Sequence, residues 1–212
     1  MYTLTDDIVA LATLVGKSAL SVIRISGGQS QQIYHKLTKK VSPPRPNYVK
    51  LCFLYHPKNK MVIDQSTIIY YRAPKSFTGE DCLEIITHGG AVIANQVLDA
   101  CLSIGVREAM PGEFSYRAFI NNKIDIIQAE AIDTIIGANN DLDSYYALNT
   151  IKGNLSNEIQ KSYDLVKGLI TAGEYELDFN EHEITPSVAA QHLKKLSRAL
   201  DIIRNILDTS YT

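Results

Sequence analysis

The spacing of apolar positions changes near residue 112, and the change divides the chain into two halves. Before it, β-branched and aromatic residues come in short runs: "IVALAT" (8–13), "ALSVIRIS" (19–26), "YVKLCFLYH" (48–56), "STIIYYRA" (66–73) and "CLEIITH" (82–88). Runs this short, several with polar residues near every second position, predict strands. "HPKNKMVID" (56–64) places a Pro-Lys-Asn-Lys turn signal between two of them, so 48–56 and 66–73 are expected to form a hairpin. Two helices interrupt this half: 29–37, started after Gly27-Gly28, and 91–103, closed by Gly105.

From Pro111 onward the period is helical. "PGEFSYRAFINNKIDIIQAEAIDTIIGANN" (111–140) predicts two helices, broken at Asn121-Asn122 and stopped at Gly137. Between Ser144 and Leu177, residues Leu148, Ile151, Leu155, Ile159, Val166, Leu169 and Ile170 recur at helical spacings. They predict one buried stripe on a helix that Gly153, Gly168 and Gly173 weaken without ending. Acidic "ELDFNEHEITP" (176–186) breaks the pattern, and a last helix is expected over 187–207. Two long helices joined near 178–187 make a hairpin, and a hairpin buries one side of each stripe. Stable bundles have three or four helices. Another chain or a C-terminal segment is therefore expected to complete this half. The predicted class is α+β, a mixed-sheet domain followed by an incomplete all-α one.

Composition narrows the picture further. With 45% apolar and 21% charged residues over 212 positions, the chain can bury real cores. A net charge of −2 argues against a domain whose main work is neutralising nucleic-acid phosphates. Cys52, Cys82 and Cys101 share no metal-type spacing, and an odd number suits a reducing compartment. Asp6 and Asp7 before the first apolar run give the wrong charge pattern for a signal peptide. No uncharged stretch is long enough to span a bilayer, so no membrane role and a cytoplasmic location are expected.

Candidate chemistry concentrates in "SFTGEDCLEIITHGG" (76–90). On a strand over 82–88, Glu84, Ile86 and His88 share one face and Leu83, Ile85 and Thr87 the other. Glu84 and His88 then stand roughly 13 Å apart, too far to share a metal ion. A carboxylate in an apolar strand needs matched donors. A heterocycle with adjacent N–H and NH2 groups would supply them; so would an arginine or lysine of the protein. Glu80 and Asp81 read as turn residues after Gly79, and His88 as a histidine satisfied at a strand end. Arg24 is the lone cation of "LSVIRISGG", by default an edge-strand residue in solvent, and Lys123 follows a helix break, by default exposed. Glu113 in "PGEF" (111–114) sits near the positive end of a helix dipole. "LVGKSAL" (14–20) is not a phosphate loop: the position requiring glycine is Leu11, and a strand follows instead of a helix.

"ALSVIRISG" (19–27), "SFTGEDCLEIITHGG" (76–90), "PGEFSYRAFINNKIDIIQAEAID" (111–133) and "YELDF" (175–179) stand in order at suitable distances. Together they resemble the MnmE (TrmE) family of tRNA-modification GTPases over nearly the whole chain. The resemblance implies a barrel-like, aminomethyltransferase-like folate-binding domain that also makes a homodimer, here 1–117, and the first part of a helical domain, 118–212. It implies a tetrahydrofolate derivative (5-formyl or 5,10-methylene) as ligand, contacted by Arg24, Glu84 and Lys123. Glu84 would hold the pterin edge, and Arg24 and Lys123 would meet carbonyl oxygens or an anionic tail. No catalytic residue and no metal ligand are implied within these residues. GTP, Mg2+ and K+ belong to a Ras-like GTPase domain that the family inserts near where "ILDTSYT" ends, so the chain is expected to be a fragment without GTPase activity. With its FAD-carrying partner MnmG, the family modifies C5 of the wobble uridine of certain tRNAs. The chain departs from the family at 14–18, where "LVGKS" replaces a usual Pro-Pro-Gly-Arg-Gly, and at Asn122, where Gly is usual. Asn tolerates the left-handed backbone next best after Gly, so that turn is expected to survive. A dimerising scaffold without folate binding is the alternative reading.

Overall fold

In the computed structural model, which describes residues 5–177 and 186–210, the chain divides into two compact units, Met1–Ile124 and Asp125–Thr212. The expected boundary at residue 118 falls inside the helix Glu113–Ile120 of the first unit.

The first unit is built on six strands: β1 (Ile8–Leu11), β2 (Leu20–Ser26), β3 (Val49–Tyr55), β4 (Val62–Tyr71), β5 (Cys82–His88) and the short β6 (Arg107–Glu108). They form one sheet in the order β3-β4-β5-β2-β1-β6. β6 runs parallel to β1 and every other pair is antiparallel. The expected β3–β4 hairpin forms, with β4 beginning earlier than its apolar run suggests. The sheet is open at β3 and β6, so the expected barrel-like closure is absent among the described residues. β6 went unpredicted because two residues carry no readable period.

Helices α1 (Ser30–Thr38) and α2 (Ala91–Leu102) cover one face. Ile23 and Ile25 of β2, Leu83 and Ile85 of β5, and Leu54 of β3 bury there against Tyr34, Leu37 and Val97. Each such aliphatic residue is worth about 1.5–3 kcal/mol relative to exposure. A one-residue slip would turn the whole set to the other face, so this core fixes the strand register. The same register places Arg24 directly opposite Glu84 on the uncovered face. α3 (Glu113–Ile120) ends the unit, and a turn through Asn122, at φ 55°, leads out of it. The left-handed turn thus survives with Asn.

The second unit contains α4 (Ile126–Ile136), α5 (Asp141–Ile151), α6 (Asn154–Leu177) and α7 (Pro186–Ser210). Asp125 and Gln128 form a reciprocal capping box at the start of α4. The continuous helix expected from Ser144 is interrupted. Gly153 takes φ 83°, and the chain restarts as α6. Gly168 and Gly173 remain inside α6, as expected. The expected buried stripe needs correction too: Leu148, Ile159, Val166 and Ile170 are exposed. α6 packs on α7 through small residues, with the Ser162 hydroxyl donating to the Ala199 carbonyl at 3.3 Å. A hairpin supplies one partner face, and the remaining apolar residues have none among the described residues. Most of the loop expected near 178–187, with the last two residues of "YELDF", lies outside the described residues.

Candidate ligand cleft

The uncovered face of the sheet carries a cleft of about 330 Å³ lined by Arg24, Tyr71, Lys75, Ser76, Phe77, Cys82 and Glu84. Alternation along β2, β4 and β5 aims Arg24, Tyr71 and Glu84 to this face while their neighbours bury in the core. Arg24 donates from Nε and Nη2 to Glu84 Oε1 at 3.0 and 2.8 Å. Tyr71 donates its hydroxyl to Glu84 Oε2 at 3.1 Å. Of the two partners the sequence left open for Glu84, the protein's own arginine is therefore present. Arg24 is not an edge-strand residue either, because β2 lies between β5 and β1. Its guanidinium lies 5.6 Å from the Phe77 ring centroid and 5.9 Å from that of Phe114. Aromatic faces hold the cation while leaving it a third exposed, at 32%.

The pairing leaves chemistry unused. A guanidinium has five N–H donors, and Arg24 spends two of them on Glu84. Glu84 Oε2 accepts one bond from Tyr71 and has room for another. The cleft thus offers donors and an acceptor side by side, a pattern that suits a flat heterocycle presenting both. Burial, and then the nearby Glu84 carboxylate, push the Tyr71 phenol above its ordinary pKa, so it remains a hydrogen-bond donor at neutral pH.

The segment 72–81 walls the cleft, and a polar network beneath holds it. Asp81 accepts the Ala73 amide and the Tyr70 hydroxyl, both at 2.7 Å. Burial and that carboxylate push the Tyr70 phenol up to about 12. Glu80 accepts from Ser26 Oγ at 2.7 Å and pairs with Arg117 at 3.1 Å. Arg117 and Glu113, both fully buried, pair at 3.0 Å, and Arg107 bridges Glu113 to Asp6. Burial alone would raise the Glu113 carboxyl, but bonds from Arg107, the Met110 amide and Arg117 outweigh it and hold the group below its ordinary range. Reading Glu80 and Asp81 as mere turn residues therefore undervalued them: both tie the segment to the core. The partners of Glu80 lie 54 and 37 positions away, and those of Asp81 lie across a turn with no regular period, so spacing carried no signal.

Lys123 does not line the cleft. Its ammonium donates to the Pro74 carbonyl at 3.0 Å, on the walling segment. It runs over Gly79, where φ is 79°, a backbone that favours glycine, and where a Cβ would sit a tight 3.2 Å from the lysine chain. His88 is satisfied, as expected: its Nδ1 is 2.7 Å from an Asp64 carboxylate oxygen, and its amide donates to the other at 2.9 Å. No helix among the described residues is long and apolar enough to cross a membrane.

An open mixed sheet with a polar cleft on its bare face, followed by a helical unit, places the chain among two-domain α+β proteins. Residues 7–123 match the family described as the GTP-binding protein TrmE N-terminus, and residues 126–212 match the MnmE helical domain. The chain belongs to the MnmE (TrmE) family. It is 36% identical over 212 residues to the tRNA modification GTPase MnmE of Caldicellulosiruptor saccharolyticus, covering 98% of this chain and 46% of that protein. It is 38% identical to the protein of the same name from Nitrosococcus oceani (94% and 44% covered). The corresponding protein of Francisella tularensis is 41% identical over 184 residues (87% and 40%). The chain thus spans less than half the length of these curated relatives.

Proposed function

We propose that this chain is the folate-binding and dimerising part of a tRNA modification GTPase. Its ligand is a tetrahydrofolate one-carbon donor, 5-formyl or 5,10-methylene, held in the Arg24–Glu84 cleft. The carrying observation is the side-by-side set of unused Arg24 donors and the remaining acceptor capacity of Glu84 Oε2, which complements a pterin edge. At about 330 Å³ the cleft is at the small end of ligand pockets, the size of a ring system and not of a whole folate. The tail would leave the cleft toward the walling segment, where Lys123 can turn from Pro74 to an anionic group. Val49, Leu51 and Phe53 on the bare face of β3 support pairing with a second copy, being 49–62% exposed. In this reading GTP hydrolysis, with Mg2+ and K+, belongs to a GTPase domain; the 212 residues contain no phosphate loop. The assembled protein, with an FAD-dependent MnmG partner, would act on the wobble uridine of tRNA in the cytoplasm.

A second reading has its own observation. Glu84 is already bonded by Arg24 and Tyr71, as a purely structural pair would be. The chain would then be a dimerising scaffold. Calorimetry with 5-formyltetrahydrofolate, alongside sedimentation, separates the two. The folate reading expects saturable binding by a dimer, reduced at least tenfold in both Arg24→Ala and Glu84→Gln, since each removes a charged hydrogen bond worth about 1.5–3 kcal/mol. Affinity unchanged in both variants would remove these residues from the site, and no binding by a folded dimer would favour the scaffold.

A further inference from the structure

A second cavity, also about 330 Å³, lies on the opposite, helix-covered side of the sheet, between α1 and the β3 edge. Pro44, Tyr48 and Ile68 wall it, together with Tyr34, Arg45 and Lys50. It is separate from the Arg24 cleft. Tyr70 lines this cavity and Tyr71 the other, and consecutive residues of a strand point to opposite faces.

Three features set it apart from an ordinary crevice. Tyr34 is 1% exposed, yet its hydroxyl has no hydrogen-bond partner. Buried polar groups are nearly always paired, so such a hydroxyl asks for an explanation. The neighbouring Tyr70 phenol is already spent on Asp81. Next, the cations are uncompensated. Arg45 lies 5.4 Å from the Tyr48 ring centroid, and neither it nor Lys50 forms an ion pair among the described residues. No acidic side chain lines the cavity. Finally, the segment that forms its rim is tied to the sheet, the Asn47 amide donating to the Tyr70 carbonyl at 2.8 Å.

We propose that this cavity is a binding site for a compact oxyanion, a carboxylate or phosphate group, taken by Arg45 and Lys50 and by the hydroxyl of Tyr34. All three contribute N–H or O–H donors, and an anion supplies acceptors only. The apolar walls admit a small body attached to that group. This site is independent of the folate reading and stands or falls without it.

The test is an NMR titration of the isotopically labelled 212-residue chain with benzoate, inorganic phosphate and the uncharged benzamide. The expected result is saturable shifts at the amides of Tyr34, Arg45 and Lys50 with an anion and none with benzamide. Benzoate as the tighter ligand identifies an organic carboxylate, and phosphate an inorganic source. Arg45→Ala, an exposed change with little bearing on folding, should weaken the anion about tenfold, the loss of one charge-assisted bond. Tyr34→Phe should weaken it similarly while leaving the melting temperature unchanged or higher. Equal binding of benzamide would overturn the proposal, as would non-saturating shifts spread over surface lysines. A lowered melting temperature for Tyr34→Phe would also overturn it, by showing that the hydroxyl is bonded within the protein in solution.

Discussion

Arg24–Glu84 and Arg117–Glu113 are the same residue types at nearly the same separation, 2.8 and 3.0 Å, within one unit. Their surroundings differ. The second pair is fully buried and is closed on every side by Glu80, Arg107 and Asp6. The first is a third and a fifth exposed, has two phenylalanine rings near its guanidinium, and keeps donors and acceptor capacity unused. A buried ion pair whose valences are all filled can only hold structure. One with valences left over at the mouth of a cleft can also take a ligand. The difference lies in what surrounds the pair, since the pair itself is unchanged.

The largest effect that can break this comparison is on stability. Arg117→Ala leaves the Glu80 carboxylate without its cation and the buried Glu113 with Arg107 alone, and breaking such a buried network typically costs about 3–5 kcal/mol. Arg24→Ala, partly exposed, should cost within about 1 kcal/mol. Urea denaturation of both variants measures the contrast. Similar losses in the two would mean the open pair is structural after all, and the scaffold reading would gain.

Acid sharpens the same contrast with a smaller effect. The folded-state pKa of Glu113 lies below its ordinary value of 4.5. Its carboxylate therefore contributes stability that is present above pH 4.5 and is lost as the pH falls through the folded value. Glu113→Gln should be less stable than the parent at pH 7, and the gap should narrow steadily below pH 4.5. A gap that stays constant down to strongly acidic pH would show that the charge of Glu113 does not matter to the fold.

Much of this was legible before any coordinates. The strand runs placed β2, β3 and β5 nearly at their observed positions, and period two put Glu84 and His88 on one face and Leu83 and Ile85 on the other. Local chemistry sufficed because alternation is local. What stayed hidden was the pairing. Arg24 and Glu84 are 60 positions apart, and Arg117 and Asp6 are 111 apart. Only the strand order brings such residues together, and no spacing rule reads it. The helical unit failed differently: helical period marked the stripe on α5 and α6, but period cannot say whether a partner covers it. At Gly153 a helix-weakening residue took a left-handed backbone and ended α5, while Gly168 and Gly173 in similar company did not.

Lys123 offers the smallest and most discriminating change. It is exposed, and its side-chain bond, to Pro74, is at the surface, so Lys123→Ala should leave the denaturation midpoint where it is. Its value lies in the ligand. An ammonium that turns from the Pro74 carbonyl to an anionic tail exchanges a neutral acceptor for a charged one. That exchange is worth about one charge-assisted bond less the bond given up, roughly a tenfold change in affinity. Arg24→Ala removes a cation already placed near two aromatic rings and should cost more. Calorimetry with 5-formyltetrahydrofolate would rank the two. A Lys123→Ala affinity equal to the parent's would confine the site to the Arg24–Glu84 cleft and leave Lys123 as a clasp on the walling segment. A loss as large as that of Arg24→Ala would mean that the tail, and not the pterin ring, carries most of the recognition.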